Sequence, residues 1–109
     1  MKDSNKRRLS SENFSDNVFK HKELTIVQFH DDDNVSCQIM DSVFDKVQEF
    51  YGSKIVCYNI HKTEGLKIWE GYKINQIPTY LFVQEKKAVE IISGLISYDG
   101  FIQVVKKFI

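Results

Sequence analysis

The sequence is poor in the residues that punctuate or cross-link a chain. Of 109 residues one is proline and five are glycine, which excludes collagen-like repeats and Pro/Gly-rich linkers. There are two cysteines, Cys37 and Cys57. Two are too few for the disulfide framework of a small secreted domain and agree with a reducing, cytoplasmic setting. No apolar run nears the length of a membrane span, and no apolar stretch near the N-terminus resembles a signal peptide. Nor is there an excess of either charge, since fifteen basic and fifteen acidic side chains balance. Nucleic acid and anionic membranes both demand a basic surplus, so neither is expected as a partner.

What is present is the material of one soluble domain: 42% hydrophobic and 28% charged residues, enough for a single core. Residues 1–8 read as a polar tail, with Lys6-Arg7-Arg8 a solvated basic arm. Residues 9–109 read as the domain. Ser10 and Ser11 offer caps for a short helix with Phe14 and Val18 inward. Leu24–Phe29 is nearly continuous in apolar character, as a buried strand should be. The polar loop His30-Asp31-Asp32-Asp33-Asn34 follows it.

A helical stripe of Cys37, Met40, Phe44, Val47 and Tyr51 comes next, widened by Ile39, Val43 and Phe50 and closed by Gly52. Lys54–Ile60 gives a second strand, and a short helix over 63–70 carries Leu66 and Trp69. Pro78 introduces the strand Thr79–Val83, and the polar turn Gln84–Lys87 returns the chain along Ala88–Ile92 as a hairpin. Ser97 caps a final helix with Phe101, Val104, Val105 and Phe108 inward. This order predicts an α/β fold with a mixed sheet and helices on both faces.

From Leu9 to Ile109 the chain resembles the thioredoxin family. Tyr72-Lys73-Ile74-Asn75-Gln76-Ile77-Pro78-Thr79 is similar to the family's Y-x-I-x-x-I-P-T, and Tyr58-Asn59-Ile60-His61 to its strand ending in N-I-D. Gly94 corresponds to the glycine before the last helix. The resemblance implies a three-layer α/β/α fold and a first strand from residues 5–9, although Asn-Lys-Arg-Arg-Leu is a poor strand sequence. It also implies a cis Ile77–Pro78 bond facing the active-site loop. Without the resemblance, a trans bond is the simpler reading, as for most X-Pro bonds.

Where the family has W-C-G-P-C, this chain has Asp33-Asn34-Val35-Ser36-Cys37. In such a motif the first cysteine sits at a helix N-terminus, where unpaired N–H groups stabilise its thiolate. Asn34 takes that position and is a good N-cap instead. Cys37 matches the second cysteine; burial and Asp31 to Asp33 should keep it protonated. Gln28 replaces the family's buried aspartate and cannot relay protons. His30 and His61 replace the tryptophan before the loop and the aspartate behind it, Cys57 replaces a lysine, and Ser42 a kinking proline. His30, His61 and the acidic loop converge on one face under this alignment. The simpler reading is an exposed loop whose carboxylates favour the helix N-terminus, so no metal and no cofactor are expected. Cys37 and Cys57 are expected to be neighbours without a disulfide.

The functional expectation is a non-catalytic thioredoxin-like module linked to redox homeostasis. It would bind a protein or peptide at the cis-proline groove through Asn34, Val35, Ile77 and Pro78, with Trp69 and Tyr72 nearby. The alternative is a single-cysteine thiol-disulfide oxidoreductase with Cys37 as its catalytic residue.

Overall fold

The computed structural model of the chain describes residues 7–109. Five strands form one sheet in the order β1-β3-β2-β4-β5. They are β1 (Arg7–Leu9), β2 (Leu24–His30), β3 (Ile55–His61), β4 (Thr79–Gln84) and β5 (Lys87–Ser93). Strands β1, β3 and β2 run parallel, whereas β4 is antiparallel to β2 and β5 to β4. The central strand β2 is buried at all seven positions, as its near-continuous apolar sequence requires of a strand covered on both faces.

Residues 1–6 of the assigned tail lie outside the described residues. The boundary drawn after residue 8 falls inside β1, because Arg7 and Arg8 pair with Tyr58 and Asn59. A basic sequence can hold this place because β1 is an edge strand with both arginines exposed, while only Leu9 is buried. The Arg8 guanidinium also ion-pairs with Glu64, so it is no free-standing arm.

Helices cover both faces. One is packed by α2 (Val35–Tyr51) and α4 (Tyr98–Lys106), the other by α1 (Phe14–Val18) and α3 (Lys62–Gly71). Alternation along β2 sends Leu24 and Ile26 into the α2/α4 core and Val27 and Phe29 into the α1/α3 core. α1 starts later than the serines suggest, with Asn13 as its N-cap residue. On α2 the stripe is narrower than expected: Ile39 and Phe50 are exposed and Gln48 is buried. At 100° per residue, Ile39 and Phe50 lie roughly 110–130° round the helix from the buried centre, whereas Gln48 falls within it. Leu66 is likewise exposed on α3, while Trp69 is buried. The hairpin turns through Glu85 and Lys86, both at positive φ, the twist that a two-residue hairpin loop favours.

Candidate functional site

Strand register builds one polar corner at the C-terminal ends of β2 and β3. His30 pairs with His61 across the parallel ladder, and Phe29 pairs with Thr79 of β4, the residue after Pro78. Even-numbered residues of β2 and odd-numbered residues of β3 face α2, so Gln28, His30, Asn59 and His61 share that face. The loop after β2 then turns into α2. This is the end of an α/β sheet where ligands are usually met.

Asn34 starts α2 as its N-cap: it is extended in backbone, and its side-chain oxygen accepts from the Cys37 N–H at 3.0 Å. That bond satisfies one of the donors that a helix start leaves open. Val35 projects outward, 67% exposed, while Cys37 is fully buried. Burial pushes the Cys37 thiol above its ordinary pKa; the charges of Asp31, Asp41 and Asp32 add to this, and a hydrogen bond with the Asp31 backbone opposes it. Cys37 and Cys57 are both buried thiols, with no disulfide between them.

Behind Cys37, the fully buried Gln28 donates through Nε2 to the Tyr80 hydroxyl at 2.9 Å and to Asp41 Oδ1 at 3.2 Å. Burial also raises the Tyr80 phenol well above its ordinary pKa. Neither Gln28 nor Tyr80 offers a proton that moves at neutral pH. Nearer the surface, Asp32 Oδ1 lies 2.8 Å from His30 Nε2 and 3.3 Å from His61 Nε2. Hydrogen bonds from His30 and His61 hold the Asp32 carboxyl below its ordinary range. Asp31 is engaged separately, accepting from the Asp33 N–H at 3.0 Å.

Opposite the loop in sequence, the Ile77–Pro78 bond is cis. Pro78 is buried and Ile77 half-buried. The Pro78 carbonyl accepts from the Gly94 N–H at 2.8 Å, and the Gln76 carbonyl accepts from the Thr79 hydroxyl. A shallow pocket of about 250 Å³ lies here, lined by Asp31, Lys62, Trp69, Ile74, Asn75 and Ile77. Of the two aromatic residues expected beside the groove, Trp69 lines this pocket. Tyr72 instead packs on Phe14 and Phe29.

Sequence reasoning missed Asp41, which links Gln28 to the histidine corner. Its signal was an acidic residue four positions after Cys37, on the inward side of an otherwise apolar stripe. Among family models, the one for thioredoxin matches residues 5–107. No curated protein sequence matches the chain significantly.

Proposed function

Since the chain belongs to the thioredoxin family, with all but a few residues inside the matched region, we propose that it is a non-catalytic member that binds an extended protein or peptide segment. Asn34 carries this reading. Its amide stands at the helix start, where a family oxidoreductase presents its attacking thiolate, and it occupies the Cys37 N–H. An amide cannot attack a disulfide, and Cys37 is buried with its thiol held protonated.

Peptide capture needs neither cysteine. The carbonyls on either side of Ile77 are engaged within the protein, and Ile77 itself would pair with an incoming backbone as in strand addition. Pro78 fixes the bend, exposed Val35 supplies apolar contact from the first turn of α2, and the pocket beside Trp69 takes a side chain. The reading places the protein in the cytoplasm, acting in redox homeostasis by holding a partner rather than by exchanging electrons.

A disulfide-reduction assay on a protein substrate tests it, with thiol labelling of the native chain alongside. The expected result is turnover at background and slow native labelling of Cys37 that becomes fast on denaturation. Turnover abolished by Cys37→Ser, with rapid labelling at neutral pH, would establish the single-cysteine oxidoreductase instead.

A further inference from the structure

The α2 face also holds a constellation that peptide binding leaves without a role. His30 and His61 end adjacent strands in register and point to the same face. Their rings stand edge to face with centroids 4.9 Å apart. Both Nε2 atoms face one oxygen, Asp32 Oδ1, and the three donor atoms lie within 4.8 Å of one another. We propose that His30, Asp32 and His61 form a binding site for a divalent transition-metal ion of the zinc class.

The donor set selects the ion. Two imidazole nitrogens and one carboxylate oxygen suit zinc and its neighbours, whereas calcium and magnesium take oxygen-rich shells. The spacing agrees. Bonds of about 2.0–2.1 Å in a tetrahedron put neighbouring ligand atoms about 3.3 Å apart. His61 Nε2 and Asp32 Oδ1 already stand at 3.3 Å; His30 Nε2, at 2.8 Å, needs a small outward movement of the carboxylate, and the two imidazole nitrogens, within 4.8 Å of each other, close to the same separation as the rings turn. Asp32 is able to make it, because its side chain is 71% exposed on a loop, while the imidazoles are 5% and 12% exposed on the sheet. Two ligands are thus fixed by strand register and the third closes over them.

The unused ring nitrogen of His30 supports the same assignment. With no ion, both Nε2–H groups donate to one carboxylate oxygen and both Nδ1 lone pairs are buried with no hydrogen-bond partner. Metal at Nε2 moves each proton to Nδ1. For His30 that N–H then faces Asp41 Oδ1, now 3.9 Å away, and an outer carboxylate of this kind commonly orients a metal-bound imidazole. Three protein ligands leave a fourth position for water or an incoming donor group.

The test titrates the whole chain with Zn2+ against a chromophoric chelator, and separately with Co2+ by visible absorption, using a phosphine reductant. One saturable equivalent is expected, with tetrahedral cobalt bands and no sulfur-to-cobalt charge-transfer band. His61→Gln and Asp32→Asn should each weaken Zn2+ by at least about tenfold, the loss that outer-sphere changes alone can reach. Cys37→Ser and His21→Gln should leave it unchanged. Circular dichroism checks that each variant folds; Asp32→Asn, at an exposed side chain, decides the matter if a histidine variant does not. The proposal is overturned by binding that survives both His61→Gln and Asp32→Asn. It is equally overturned by binding lost in Cys37→Ser, or by no saturable binding up to millimolar Zn2+. None of these outcomes bears on the peptide-binding reading, which uses other residues.

Discussion

The two faces of the sheet are built from similar amounts of aromatic surface but treat polar groups in opposite ways. On the α1/α3 face Phe29 packs against Trp69 and Tyr72 with centroids at 5.8 and 6.2 Å. The polar atoms there find partners: Trp69 Nε1 donates to the Ile60 carbonyl, and the Tyr58 hydroxyl meets His21 at 2.7 Å. On the α2/α4 face Phe44, Tyr80 and Phe101 form an equally tight aromatic set, yet toward the ends of β2 and β3 it turns polar. Among the described residues, the buried side-chain atoms without a partner are Gln28 Oε1, His30 Nδ1, Gln48 Oε1, Asn59 Oδ1 and His61 Nδ1. All five belong to residues of the α2 side. Folded proteins rarely leave such atoms unmatched, and where they do the site often serves something other than stability. Both faces pack a core, but only the α2 side keeps unmatched polar atoms inside it.

A pair of truncations tests that division most directly. Phe29→Ala empties a fully buried site in the aromatic cluster and should destabilise the protein by about 3–5 kcal/mol. Gln28→Leu, at the neighbouring position on the opposite face, keeps volume and removes an amide whose oxygen has no partner. Its cost is the bond to Tyr80 and the weaker one to Asp41, and it should stay under about 1.5 kcal/mol. Urea unfolding at neutral pH measures both; similar losses at the two positions would break the comparison.

The next test sharpens what close packing means on the α1/α3 face. A Cβ on Gly65 would lie 2.2 Å from Ile60 Cδ1, and Ile60 is itself fully buried. Gly65 also interrupts α3 with non-helical angles. Gly65→Ala should therefore cost about 1–3 kcal/mol. In the same helix, a Cβ on Gly71 meets nothing within 4 Å, and its φ is not in the left-handed region. Gly71→Ala should be neutral or stabilising by up to about 1 kcal/mol. Opposite signs from one substitution type, read by thermal or urea unfolding, would tie the cost to contact with the β3 core and not to helix propensity.

These contrasts also show what could be read from the sequence. β2 was legible because a central strand in a covered sheet must be apolar on both sides. The meeting of His30 and His61 was legible only through the family alignment, since no local pattern states that two strands share a register. β1 was hard to read because Arg7 and Arg8 are held by an edge ladder and, at Arg8, by Glu64, and not by strand propensity. Ile39, Phe50 and Leu66 were misjudged for another reason. Apolar character near a helical stripe does not say how wide a strip the sheet covers, and the angular position of Gln48, within that strip, was the signal left unread. The geometry of the Asp32 corner lay beyond sequence altogether, because an exposed loop carboxylate has no period to read.

The smallest effect concerns that corner and asks whether the polar face is organised in solution. The hydrogen bonds from His30 and His61 hold the Asp32 carboxyl below its ordinary range. The folded chain therefore gives up this proton more readily than the unfolded chain does. The sign follows: the contribution is fully present above the unfolded value of about 3.9, and is lost as pH falls through the depressed folded value. Asp32→Asn should lower stability slightly at neutral pH, and the gap from the parent should close as the solution is acidified below about pH 4. Because the side chain is 71% exposed, solvent screening keeps the gap small, so paired urea midpoints across the acid range are needed to see it. Converging curves would mean that the imidazoles meet the Asp32 carboxylate in solution, the juxtaposition on which the three-ligand corner rests. Curves that run parallel down to the acid limit would mean that Asp32 is a solvated loop residue and that the imidazoles do not hold it.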